Sequence, residues 1–277
     1  MKINLFNLFI ASFIVIISCS DVELIEKEKE ADNLINTFIK ENKIPGLSVT
    51  ILNGDGYIEY SKGFGYADLE KKININPKNS IFRIGSFSKT LAGTALMKMY
   101  EEKKIEIDSP VGYYIKNLPA DKKKITLKQI AGHLSGIRHY GDGDDMNLNL
   151  NYENTSEALN IFINDSLLFD PGTKYSYSTH AWTLLSLAME KAYGENFIEL
   201  MKNEILNPLQ LNKTFAEEID LVLNDKVTFY EKNESGNIVL CPDVNNSWKW
   251  AGGGYVSTTQ DMAKFTWKVL YTDFLLP

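Results

Sequence analysis

Cysteine is almost missing from this chain of 277 residues, which has two, Cys19 and Cys241. An exported domain held by disulfides uses several in pairs, so a stapled framework is excluded and a packed core must hold the fold. Histidine is equally sparse, with three residues. His133 and His139 lie near Asp142, Asp144 and Asp145, yet the spacing matches no familiar zinc pattern and Asp142-Gly143-Asp144-Asp145 lacks the ligand order of a calcium loop. No metal or other cofactor is expected. A clustered basic surface is missing too: the formal net charge is −7, which excludes nucleic acid as a partner. The longest basic run, Lys122-Lys123-Lys124, reads as a solvated turn. No repeat, low-complexity stretch or Gly/Ser-rich or Pro-rich linker divides the chain, and its one long apolar run, Leu8 to Ile17, is too short for an ordinary transmembrane helix.

What is present begins with that run. Lys2 supplies a positive start, Leu8 to Ile17 an apolar centre, and Ile16-Ile17-Ser18-Cys19 resembles the bacterial lipobox, in which the Cys is acylated and becomes the mature N-terminus. The expectation is a lipoprotein signal peptide over residues 1–18 and a lipid on Cys19. The protein would then be exported and anchored to a membrane, facing the periplasm or cell surface. Cys241 would remain a lone thiol. Residues 19–44 read as an N-terminal linker and helix, and residues 45–277 as one domain.

Periodicity sets out the elements. Leu24, Ile25, Leu34, Ile35, Phe38 and Ile39 mark a helix ending near Asn42, before Pro45-Gly46. Leu47 to Leu52 and Tyr57 to Phe64, rich in Val, Ile, Tyr and Phe, flank Asn53-Gly54-Asp55-Gly56, a hairpin turn signal. From Ser86 a helix is predicted to about Lys104, with Leu91, Ala92, Ala95, Leu96 and Met99 on one face. Ser86, Lys89 and Gly93 share a second stripe, where the Gly would clear space beside the Lys. Thr126-Leu127-Lys128-Gln129 fits a capping box opening a helix that closes near Ser135-Gly136. Further helices are predicted over about 155–165, 180–193, closed by Gly194, and 196–206, and another is capped near Thr258. Gly252 to Gly254 read as a close-packed turn into a strand.

Ser86-Phe87-Ser88-Lys89 puts a hydroxyl at a helix start, where backbone N–H groups point outward and can stabilise an oxyanion. Lys89 follows one turn later on the same face. A Ser hydroxyl needs a neighbour to remove its proton, and a partly desolvated Lys has a pKa low enough to serve. Ser88 competes as nucleophile but points about 200° around the helix from Ser86. By itself the four-residue pattern is a weak signal in a chain with this much Lys. A second segment strengthens it: Pro171 to Thr179 runs straight into a helix and holds Tyr177 at its entrance, where the phenol could bridge Ser86 and Lys89 and pass the proton on. His180 reads as a helix-entry residue and not a base.

These residues together resemble the serine beta-lactamase-related, penicillin-binding-protein-like family, which includes class C beta-lactamases, D-alanyl-D-alanine carboxypeptidases, related esterases and LACTB-like serine hydrolases. The resemblance runs from about Pro45 to Phe265. It rests on Phe82 to Lys89, on Ile125-Thr126-Leu127 leading to His133-Leu134-Ser135-Gly136-Ile137-Arg138-His139-Tyr140, on Pro171 to Leu185, and on Gly252-Gly253-Gly254-Tyr255-Val256-Ser257-Thr258. It implies an α+β fold, an antiparallel sheet flanked by helices plus an all-helical subdomain. It also implies Ser86 as the acylated nucleophile, Lys89 as its partner and Tyr177 as the family's active-site Tyr. Thr179 stands where many members carry an Asn that helps hold the substrate's acylamino group; a Thr offers one shorter donor, which argues against efficient penicillin or cephalosporin turnover.

The family's third element, a Lys or His followed by Ser or Thr and then Gly, has no match here, because no Gly follows Gly254. In the family that strand supplies a second oxyanion N–H, and the C-terminal strands complete the sheet. Residues 45–277 are therefore expected to be C-terminally truncated, with those strands missing and a sheet edge unpaired. Two functions follow. One is a serine hydrolase cleaving an amide or ester bond, of peptidase, carboxypeptidase or esterase type, on a small-molecule or peptide substrate such as a peptidoglycan fragment. The other is a non-catalytic remnant that binds peptidoglycan or a protein partner.

Overall fold

The computed structural model describes residues 19–141 and 149–275, with side chains from residue 26 onward. The signal sequence expected over residues 1–18, the side chain of Cys19, and Asp142, Asp144 and Asp145 lie outside the described residues. Helix α1 (Cys19–Asn42) is one long helix. It stops where Pro45 forbids further helix, and the Asn42 side chain donates back to the Phe38 carbonyl at 2.9 Å. Among the described residues, it belongs to a first compact unit that ends at Ile44, and those from Pro45 onward form a second. No helix among the described residues is long and apolar enough to cross a membrane.

The second unit opens with the expected hairpin. Strand β1 (Gly46–Leu52) pairs antiparallel with β2 (Ile58–Asp68), from Gly46 opposite Gly65 to Leu52 opposite Ile58. The turn between them is tied by Asn53, whose side chain accepts from the backbone N–H groups of Asp55 and Tyr57. A short β3 (Ile73–Asn74) adds to the far side of β2. Among the described residues β1 has no strand on its other side. A second antiparallel sheet places β8 (Tyr255–Ser257) between β4 (Phe82–Arg83) and β5 (Phe215–Ala216). The hairpin of β6 (Tyr230–Lys232) and β7 (Ile238–Leu240) stands apart from both.

Helices make up the rest. Helix α2 (Phe87–Glu101) buries Leu91, Ala92, Ala95, Leu96 and Met99, the predicted face. These pack in one core with Val111 of α3 (Val111–Tyr114), Leu127 and Ile130 of α4 (Leu127–Ala131), Leu184, Leu185, Ala188 and Met189 of α6 (Thr179–Tyr193), and Phe197, Leu200 and Met201 of α7 (Phe197–Met201). At about 25 cal/mol per Å² of apolar surface, this helical core is the main store of stability. Helix α5 (Thr155–Ala158), helix α8 (Trp250–Gly253) and helix α9 (Thr259–Tyr271) complete the order. The fold is thus mixed helix and antiparallel sheet, as the sequence implied.

Several expectations needed correction. Helix α2 stops at Glu101, short of Lys104: Lys103 turns to φ +57° and Lys104 swings out to Glu102 and Glu204. Helix α4 ends at Ala131 and the chain reverses at His133, φ +61°, so no helix reaches Ser135. The predicted helix over 155–165 is one turn of α-helix followed by a 3-10 turn at Leu159–Ile161. The stretch over 196–206 widens into a π turn at Lys202–Leu206. Lys122 is not solvated: it is buried, with its ammonium on the Asp121 carboxylate and the Asp165 carbonyl. Nor does Gly93 clear space beside Lys89, since a methyl group there would meet the Trp182 ring at an ordinary 3.5 Å.

Candidate functional site

Sheet and helix join at Gly85, φ +50°, between β4 and α2. The bend leaves Ser86 exposed as the residue before the first turn of α2 and turns Lys89 inward, where it is buried. Ser88, two residues on, is fully buried, and its hydroxyl accepts from the Tyr255 N–H at 3.1 Å. That bond fastens α2 to β8 and occupies the competing hydroxyl away from Ser86.

Tyr177 approaches from the loop before α6. Its phenol donates to the Ser86 oxygen at 2.7 Å, while the Lys89 ammonium lies 3.4 Å from the same oxygen and 4.8 Å above the Tyr177 ring. Lys89 also donates to the Thr179 hydroxyl at 3.2 Å and to the Gly252 carbonyl in a short bond. Burial holds the Lys89 pKa below its ordinary value, only partly offset by Tyr177. For Tyr177, burial pushes the phenol up, but Lys89 and Ser86 outweigh it and the pKa falls below the ordinary tyrosine value. The two shifts run in the same direction, downward, in a lysine and a phenol that share the Ser86 oxygen.

Helix α6 is aimed by its cap. Ser178, before its first turn, accepts from the Ala181 N–H and donates to the Arg138 carbonyl. Thr179 is buried, with its hydroxyl accepting from Lys89, and burial raises the pKa of nearby Tyr140, with Thr179 acting against that shift. Gly252 packs so tightly on Thr179 that a methyl group there would lie 2.5 Å from the Thr179 Cγ2. Beyond them, both oxygens of Glu217 accept from the single Nε–H of Arg83, at 2.9 and 2.8 Å, and the carboxylate also takes contacts from Lys226 and Asn246. This cluster links β4 to the segment leading into α8.

The structure therefore brings Ser86, Lys89, Tyr177 and Thr179 together. His180 is buried, stacked on Phe162 and bonded to Arg138, away from the base role as its helix-entry position implied. Sequence reasoning missed three contributors. The Gly252 carbonyl holds Lys89, although the sequence marks Gly252 as a close-packed turn. His133 and His139, which match no metal-ligand spacing, place their rings beside Tyr177 at 4.4 and 5.2 Å. The signal for all three is that they lie in segments that carry the family resemblance.

A serine, a buried lysine and a tyrosine around one oxygen, on helices beside an antiparallel sheet, define the serine beta-lactamase and penicillin-binding-protein class of fold. The chain belongs to the Beta-lactamase family, whose sequence model matches residues 31–275. It is similar to the human mitochondrial serine beta-lactamase-like protein LACTB, 30% identical over 86% of this chain and 56% of that protein. Among solved structures, it is similar to the octameric penicillin-binding protein homologue of Pyrococcus abyssi (26% identity, TM-score 0.74, 87% of this chain and 55% of that one). It is also similar to FmtA of Staphylococcus aureus (26% identity, TM-score 0.74, 88% and 67%). The chain spans about half the length of the curated relatives it matches.

Proposed function

We propose that the protein is a serine hydrolase that cleaves an amide or ester bond through an acyl-enzyme on Ser86. The observation that carries this reading is the 2.7 Å bond from Tyr177 to the Ser86 oxygen beside the buried Lys89. Lys89 or Tyr177, in its deprotonated form, takes the Ser86 proton as the oxygen attacks the substrate carbonyl. The tetrahedral oxyanion draws support from the N-terminal turn of α2. Collapse breaks the C–N or C–O bond, and the proton passes to the leaving amine or alcohol. Water then adds to the acyl carbonyl and gives a proton to the same pair of groups, which return it to the Ser86 oxygen as the acyl C–O bond breaks and the acid leaves. Thr179 would stand beside the substrate's acyl portion.

A fluorophosphonate probe tests this directly. The wild type should be labelled and Ser86→Ala should not; equal labelling of both would sink the reading. No labelling of the wild type together with measurable binding of a peptidoglycan fragment would point instead to binding without turnover. The membrane-facing location is part of the same proposal and rests on the sequence around Cys19: palmitate should be incorporated by the wild type and not by Cys19→Ala.

A further inference from the structure

The loop that presents Tyr177 is not held by backbone pairing alone. The Ser176 N–H donates to the His133 carbonyl at 2.9 Å, as one strand does to another. The next two contacts run to side chains. The Ser178 N–H donates to Nδ1 of His133 at 3.1 Å, and the Thr179 N–H to Nδ1 of His139 at 3.2 Å. Two imidazoles thus replace two carbonyls as acceptors, immediately after Tyr177. His133 takes a left-handed φ of +61° to do so, a conformation that costs a non-glycine residue energy and persists only where its surroundings enforce it.

We infer that His133 and His139 are positioning residues that act as uncharged Nδ1 acceptors to seat Tyr177 against Ser86, and that protonation of either ring unseats it. This rests on the reading of Tyr177 as a carrier of the Ser86 proton. An imidazole accepts at Nδ1 only as the Nε2–H tautomer. The imidazolium has a proton on both nitrogens, so its Nδ1–H would meet the peptide N–H head on. The groups facing the rings favour the neutral form. His133 has Tyr175, Tyr177 and Trp182 about it, and His139 has Tyr140, stacked at 3.9 Å, and Tyr177. The charges acting on them are Lys89 of α2 and Lys249, just ahead of α8, and His139 itself acts on His133. Burial and these cations hold both pKa values below the ordinary histidine value, so the acceptor state persists below about pH 6.5 before it fails.

Asparagine separates the two roles, because its side-chain oxygen sits near the place of Nδ1 and does not titrate. The second-order rate of fluorophosphonate labelling is measured across pH for the wild type, His133→Asn, His139→Asn and the double variant. The wild-type rate should fall on the acid side of about pH 6.5. The Asn variants should stay within about tenfold of wild type at higher pH, with that acid fall shallower in each and shallowest in the double variant. Removing the acceptor by His133→Leu should lower labelling on the order of 10²-fold at every pH, the size of effect a misplacement of about 1 Å produces. An unchanged acid limb in the double Asn variant overturns the inference. Nitrogen-15 NMR of the rings gives an arm independent of labelling: Nε2–H tautomers are expected, and an Nδ1–H tautomer on either ring overturns it. If the wild type takes no label, the proposed hydrolase fails, and the NMR arm still decides the positioning role.

Discussion

Lys89 touches three oxygens, on Ser86, Thr179 and Gly252, and its state of charge decides which way each bond runs. A charged ammonium can donate to all three. A neutral amine has two N–H bonds and one lone pair, so one contact must reverse. The Gly252 carbonyl can only accept, so a hydroxyl, that of Ser86 or that of Thr179, must turn to donate to the amine. Where Ser86 turns, loss of the lysine proton sets up the proposed nucleophile in the same movement. The arrangement makes Gly252 more than filler. Gly252→Ala would drive a methyl group into Thr179 and push the carbonyl away from Lys89, since the gap to Cγ2 is 2.5 Å. Labelling by the fluorophosphonate should fall about 10- to 100-fold while the circular dichroism spectrum is kept.

At the level of elements, helix ends do much of the placing. The capping box at Thr126 is complete: its hydroxyl accepts from the Gln129 N–H, and the Gln129 side chain accepts from the Thr126 N–H. It starts the short α4, whose far end sets up His133. Thr126→Ala should lower the stability of the fold by about 1 kcal/mol, read from the urea midpoint. This box was legible because it is a local pattern of two residues three apart. So were the β1–β2 hairpin and the apolar face of α2. The end of α6 was equally clear, because Gly194 takes φ +93° and closes the helix as glycine does. The early end of α4 was not legible, since it depends on His133 reaching across to Ser178, and nothing in residues 126–136 signals a partner 45 positions away. For the same reason Ser86, Lys89 and Tyr177 could be read as local motifs and a family resemblance, whereas the Gly252 carbonyl, a backbone atom 163 residues from Lys89, has no side-chain signature at all.

Across the whole molecule, titration should show the fold's buried charges in two steps. His133 and His139 have folded pKa values below the ordinary 6.5, so the unfolded chain binds their protons first. Stability should therefore start to fall as pH drops below about 6.5. Burial raises the Glu217 carboxyl, but Arg83, Lys226 and Asn246 more than reverse this, leaving it below the ordinary glutamate value. Its contribution is whole above the unfolded value of about 4.3 and is lost as pH falls through the lower folded value. Urea midpoints measured from neutral to acid pH should show both declines, and Glu217→Gln should remove the second while costing about 1.5–3 kcal/mol at neutral pH, because the half-buried Arg83 loses its charged acceptor. The site also spans the chain: Ser86 meets Tyr177 across 91 residues and Lys89 meets Gly252 across 163. Closing loops of that length costs entropy before any contact repays it, so such contacts form late in folding. A nascent or half-refolded chain can hold its local helices while Ser86 still lacks its neighbours, and the proposed reactivity would arrive only with the docking of distant segments.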